Sequence, residues 1–140
     1  MPTNTPIEIF IVSTDQSRLD LSVVCEFLTH RSYWAKGRSK QVILKSIKNS
    51  LCFGLYHNND TVGFARVITD YSTFAWILDL FILEEWRGMG LANKLMDSII
   101  TDPRLDGIIR WRLNTSDAHS LYEKHGFRKT QQPDTYMEKS

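Results

Sequence analysis

Arg87-Gly88-Met89-Gly90-Leu91-Ala92 joins an apolar run, Trp76 to Leu83, to an amphipathic run, Leu91 to Ile100. That arrangement suits anion binding. Glycines at 88 and 90 remove side chains where backbone must approach a ligand, and the N–H groups at a helix start have no intrahelical acceptor. Phosphates bind to such termini, although Gly-x-Gly turns also serve as plain strand-to-helix connectors, so the hexapeptide by itself leaves both uses open. Asp79 is the second group with chemical potential. An acid inside an apolar strand must be satisfied or carry a desolvation cost of several kcal/mol, so it is either a proton acceptor or a structural carboxylate bonded to backbone. His119 lies one helical turn before Tyr122 on the same face, and an imidazole can take a proton near neutral pH. Histidines in such places are more often plain surface residues. His30, His57 and His125 have no partner pattern and read as surface positions.

The 140 residues carry 17 Lys+Arg against 16 Asp+Glu, a formal charge of +1, so no global field draws the chain to nucleic acid or to a membrane. Any anion must be bound locally. One domain, residues 1–140, is expected, with about two-thirds of the unfolded surface buried. Cys25 and Cys52 sit in apolar patterns without metal-type spacing and read as buried thiols in a reducing compartment. No His/Cys/Asp cluster has ligand spacing, so no metal is expected. Met1 to Pro6 lacks a basic start followed by an apolar core, and no run of about 18 apolar residues exists, which predicts a soluble, cytoplasmic protein.

The elements that must position these groups follow from periodicity. Ile7 to Val12 predicts a strand, and Leu19 to Leu28 a helix capped by Asp20 or Ser17. A basic loop with Tyr33, Trp34 and Gly37 precedes a second helix opened by Ser39. Leu51–Tyr56 and Thr61–Thr69 flank an Asn/Asp turn and predict a hairpin. Asp70-Tyr71-Ser72 is another turn, and Phe74 to Leu83 a central strand buried on both faces. After the glycine turn comes a helix ending before Pro103. A strand over Gly107–Leu113 and a short helix over Asp117–Lys124 stopped by Gly126 follow. Strands at Phe127–Thr130 and Thr135–Glu138 would close the sheet. The order is βααβββαβαββ, a mixed sheet with helices on both faces.

A Walker-type P-loop and the three-glycine dinucleotide fingerprint are both missing, and this glycine turn comes late, after an antiparallel hairpin. The chain instead resembles the GNAT superfamily of N-acetyltransferases. The superfamily motif Arg/Gln-x-x-Gly-x-Gly/Ala is matched by Arg87, Gly90 and Ala92. Downstream, Ala118-His119-Ser120-Leu121-Tyr122-Glu123-Lys124-His125-Gly126-Phe127 resembles its Ala-x-x-Leu-Tyr-x-x-x-Gly-Phe segment. The resemblance runs from about Ile7 to Met137 and is nearest to a group of short, single-domain members. It implies an α/β (α+β) fold, with a mixed, mostly antiparallel sheet of six to seven strands splayed at the cofactor site.

The resemblance also implies roles. Acetyl-CoA would lie between the strands at 74–83 and 107–114, its pyrophosphate on the turn Arg87-Gly88 and on the N–H groups of Met89, Gly90, Ala92 and Asn93. The half positive charge of a helix N-terminus and the nearby Arg87 support this on physical grounds. Backbone near Leu80 and Ile82 would bond the pantetheine as an extra strand does, and an N–H near Leu80 would hold the oxyanion. Thr115 stands where the superfamily commonly has Asn, so the cofactor arm falls to its hydroxyl or to Asn114. Tyr122 matches the tyrosine usually placed by the cofactor sulfur and is the candidate general acid or hydrogen-bond donor, or else a core aromatic. Asp79 matches a common glutamate base. Tyr33, Trp34, Asp70, Tyr71 and Phe74 would wall the acceptor, although Trp34 and Phe74 could equally cover the core. Arg31, Lys36, Arg38 and Lys40 could meet a carboxylate or the cofactor's 3′-phosphate, or form a solvated face. The reaction expected is acetyl transfer to a primary amine of a small molecule or amino acid, without nucleic-acid or membrane partners. Exposed strand ends near Phe127 would allow a homodimer. A non-catalytic acyl-CoA-binding or regulatory domain, or acetylation of a protein N-terminus or other macromolecule, are the alternatives.

Overall fold

The computed structural model describes Pro6 and residues 9–140. Ile7, part of the first predicted strand, lies outside the described residues. Among the described residues, five strands form one sheet in the order β1-β2-β3-β4-β5: β1 (Phe10–Ser13), β2 (Leu51–His57), β3 (Asp60–Thr69), β4 (Phe74–Ile82) and β5 (Arg110–Leu113). The first four pair antiparallel, and β5 joins β4 in parallel. The α-helices among the described residues are α1 (Leu21–His30), α2 (Lys40–Lys48), α3 (Leu91–Ile100) and α4 (His119–Glu123). Local chemistry sets their starts. The Asp20 carboxylate accepts from the N–H groups of Ser22 and Val23, and the Ser39 hydroxyl from that of Val42.

Each sheet face has its own core. On one, Leu91, Leu95, Met96 and Ile99 of α3 pack on Val62, Ala65, Val67, Ala75 and Ile77. On the other, Val24, Phe27 and Leu28 of α1 and Ile43 and Ile47 of α2 cover Cys52, Phe64 and Phe81. Phe27 and Phe81 stack with centroids 4.1 Å apart. At about 2 kcal/mol for each fully buried large apolar side chain, these two layers supply most of the favourable folding energy. Both cysteines are free and buried.

The sheet is interrupted in β4. Phe64 pairs with Phe81 but Arg66 pairs with Leu78, so β4 carries one extra residue there, and Asp79 takes φ 57. This bulge turns two consecutive side chains toward the α1–α2 face. Parallel pairing of β4 with β5 covers only Phe74–Ile77 against Arg110–Leu113, so the two strands part just before the bulge.

The expectation of six to seven strands is corrected. Phe127–Thr130 and Thr135–Glu138 form no strands; residues 128–140 are exposed, and Pro133–Thr135 makes a single 3-10 turn. The reason is compositional: Arg128 to Asp134 is polar and contains Pro133, which cannot donate to a ladder. Phe127 instead sets its ring edge against Trp111 and Tyr122, at 6.5 and 6.2 Å. The outer edge of β5 is therefore left without a strand partner among the described residues. No helix among those residues is long and apolar enough to cross a membrane.

Candidate active site

The glycine turn has the geometry that anion binding asks for. Gly88 and Gly90 adopt φ 82 and 77, a left-handed conformation that costs an L side chain about 1–2 kcal/mol. A Cβ at Gly88 would meet nothing within 4 Å, so the turn is open on that side. Gly90 caps α3 without any side-chain hydrogen bond, which leaves the first-turn N–H groups, those of Ala92 and Asn93 included, without an internal acceptor. Met89 and Ala92 pack against the α3 core and fix the turn to the sheet. Arg87 Nε donates to the Ile82 carbonyl at 2.9 Å, tying the exit of β4 to the turn. The β5-facing side of β4 around Leu80 and Ile82 has no strand partner among the described residues.

Asp79 is closed. Its side chain is 1% exposed, and three donors hold it: Trp34 Nε1 on Oδ1 at 2.8 Å, and Arg38 Nη1 and Arg66 Nε on Oδ2 at 3.0 and 2.8 Å. Arg66 also reaches Ser50 Oγ at 3.2 Å. The structural alternative expected from sequence had backbone partners; the partners are side chains from the α1–α2 loop and β3. Arg66 was not singled out in the sequence. A charged residue inside one apolar hairpin strand, matched by an opposite charge inside the next, was the available signal.

The α1–α2 loop reaches across the parted strands. Tyr33 Oη donates to Asp117 Oδ1 at 3.2 Å and accepts from the Ser116 N–H at 3.3 Å, and its ring meets Trp34 edge-on at 5.1 Å. Tyr122 lies close by. Burial pushes its phenol up to about 12, with smaller contributions from neighbouring Tyr33 and Asp117. Thr115 Oγ1 accepts from the Ala118 N–H at 3.0 Å and so is engaged in opening α4, whereas Asn114 is exposed. His119 is exposed at the start of α4. A cavity of about 1030 Å³ follows the free edge of β5 and is lined by Trp76, Arg112, Asn114, Thr115, His119 and Tyr122, among others.

Two expected acceptor residues, Asp70 and Tyr71, sit in the β3–β4 turn. Asp70 accepts from the N–H groups of Ser72, Thr73 and Phe74 and from the Thr73 hydroxyl, which holds its carboxyl far below the usual carboxylate range. It closes the β3–β4 turn, with Tyr71 at φ 63 beside it. That turn precedes Phe74, six residues or roughly 20 Å along β4 from Leu80. Phe74 packs against Trp76 at 6.0 Å. His125 is also a correction. Its side chain is 9% exposed, with Nε2 3.0 Å from Asn93 Oδ1 and Nδ1 3.3 Å from Asp97 Oδ1, so it ties the end of α4 to α3 rather than facing solvent.

The sequence profile of the Acetyltransferase (GNAT) domain matches residues 48–129. The chain belongs to the GNAT acetyltransferase family, a class of acyltransferases. It is 42% identical to a solved protein from Xanthomonas campestris assigned to that family, with a TM-score of 0.91 over 94% of this chain and 92% of the other. A Gibberella zeae protein assigned as an acetyltransferase is 27% identical over 83% of this chain and 77% of its own length. A structure from Deinococcus radiodurans, 17% identical with a TM-score of 0.73 over 92% of this chain and 89% of its own, shares the fold.

Proposed function

We propose that the protein moves acetyl from acetyl-CoA to the primary amine of a small molecule or amino acid by direct attack in a ternary complex. One observation carries the reading: an uncapped helix start behind a left-handed glycine turn adjoins the part of β4 that has no β5 partner. The residues fit the donor. Met89, Gly90, Ala92 and Asn93 would hold its diphosphate through N–H groups, and the β4 backbone near Leu80 its arm; bound there, it supplies the activated acyl carbonyl. Asn114 is exposed and can meet that arm, and Thr115, whose hydroxyl oxygen accepts from the Ala118 N–H, keeps its O–H to donate there.

Tyr122 donates a hydrogen bond to the departing sulfur. A phenol pushed up to about 12 stays protonated at every working pH. Full proton transfer to a thiolate, whose acid has a pKa of about 8.5, is uphill by roughly 3.5 units or about 5 kcal/mol. Asp79 is a positioning residue that shapes the bulge and orients Trp34, and the amine's proton leaves by His119 or by water in the same cavity. A neutral-to-slightly-basic surface, formal charge +1, favours a small acceptor over nucleic acid.

The rival reading, a non-catalytic acyl-CoA-binding domain, draws support from the closure of Asp79, which removes one expected base. Thiol release over a panel of amines, with calorimetry of acetyl-CoA binding, separates the two. Turnover of any amine supports the transferase; tight acetyl-CoA binding with no turnover of any of them overturns it.

A further inference from the structure

We infer that the acceptor carries a carboxylate as well as its amine, and that Arg112, seconded by Arg110, holds that carboxylate against the uncovered face of β4 and β5; this rests on the transferase reading above. The parallel register sets Arg110 beside Phe74 and Arg112 beside Trp76, so both guanidinium side chains share one sheet face with those rings. The antiparallel register extends the strip to Ile68, paired with Trp76, and to Arg66, paired with Leu78. This is the face that α1 and α2 cover further along the sheet. They stop short here, and Ile68 is 45% exposed.

The charge on this strip is unbalanced. Arg31, Arg38, Arg66 and Arg104 each have a carboxylate partner, whereas neither Arg110 nor Arg112 has one among the described residues. Arg112 makes one bond, from Nη1 to the adjacent Trp111 carbonyl at 3.3 Å, and its guanidinium lies 5.7 Å from the Tyr136 ring centroid. Its planar fork remains available to a carboxylate, for which the geometry is bidentate. Deeper in, Arg38 and Arg66 share the single charge of Asp79, so the strip gains no counter-anion there.

The apolar part of the ligand is also prescribed. Trp76 and Phe74 stand beside the two arginines, and Trp76 Nε1 is a buried donor without an acceptor. Arg112 precedes Asn114 by two residues, about 7 Å along the strand, and lines the same cavity as Tyr122 and His119. A carboxylate on Arg112, an apolar body on Trp76 and an amine reaching toward Tyr122 describe an apolar or aromatic amino acid.

Matched amines test this. Phenylalanine against 2-phenylethylamine, leucine against isopentylamine, and 4-aminobutyrate against butylamine are compared by calorimetry on the CoA-loaded protein and by thiol release. The expected result is a preference of about ten-fold or more for the carboxylate member of at least one pair. That ratio should fall toward one in Arg112→Gln and be partly kept in Arg112→Lys, with thermal melts confirming that the variants fold. No preference in any pair, including no binding at all, overturns the inference, as does a preference that survives Arg112→Gln/Arg110→Gln. Turnover without a carboxylate preference sinks the inference and spares the transferase; Arg112-dependent carboxylate binding without thiol release does the reverse.

Discussion

Replacing Asp79 with asparagine separates a structural carboxylate from a catalytic base. The side chain is 1% exposed and compensates Arg66, itself 10% exposed, and Arg38, 26% exposed. Breaking a buried pair by removing one partner costs about 3–5 kcal/mol, because a charge is left desolvated and unpaired. Partial access of water to Arg38 places the cost toward the lower end. For a domain of this size each kcal/mol moves Tm by about 3–4 °C, so a fall of roughly 10–15 °C is expected, read by circular dichroism. Arg66→Met should cost a similar amount, and the double variant less than the sum, since both single changes break one network. At 20 °C, where the variant stays folded, some activity should remain and its pH profile from 7 to 10 should parallel the parent's. An unchanged Tm, together with activity lost at neutral pH and regained at high pH, would refute the structural role and restore Asp79 as the base.

Tyr122→Phe should lower kcat by roughly 10²-fold with acetyl-CoA affinity little changed, measured by steady-state thiol release; an unaltered kcat removes Tyr122 from the chemistry. The parent's kcat should show no alkaline limb from this phenol below about pH 10. Burial pushes both the Cys52 thiol and the Tyr122 phenol up to about 12, from ordinary values of 9.0 and 10.0. The unfolded chain therefore releases these protons first, so their stabilisation is complete below pH 9 and lost as pH rises toward 12. Melts from pH 7 to 11 should show Tm falling above 9, less steeply in Cys52→Ala; a Tm rising with pH contradicts the assignment. Gly88→Ala should cost about 1–2 kcal/mol from its φ of 82 alone, as a Cβ there meets nothing within 4 Å. Gly88→Asn should cost less, and equal melts for all three proteins would show that the turn is not left-handed.

Features set by a few adjacent residues could be read directly. Asp20 and Ser39 satisfy helix N–H groups two and three positions away, and the glycine turn announces itself by its own φ requirement. Asp70 was equally local: an aspartate with Ser-Thr two and three positions on is an Asx-turn signature, and its bonds to Ser72 and Thr73 left no carboxylate for an acceptor. What escaped depends on residues far apart in the chain. The clamp on Asp79 gathers Trp34, Arg38 and Arg66 across as many as 45 positions, and a bulge decides which face the carboxylate takes. His125 is buried only because α4 returns onto Asn93 and Asp97 of α3. The two closing strands were read from short runs at Phe127–Thr130 and Thr135–Glu138, and the polar stretch from Arg128 to Asp134 does not supply the apolar alternation they need.

Backbone amide shifts on titration with coenzyme A report on the turn itself. The N–H resonances of Met89, Gly90, Ala92 and Asn93 should move downfield and saturate with bound coenzyme, and stay still with S-acetylpantetheine, which has the arm and no diphosphate. Coenzyme binding that leaves those four amides unmoved would contradict the account at its root.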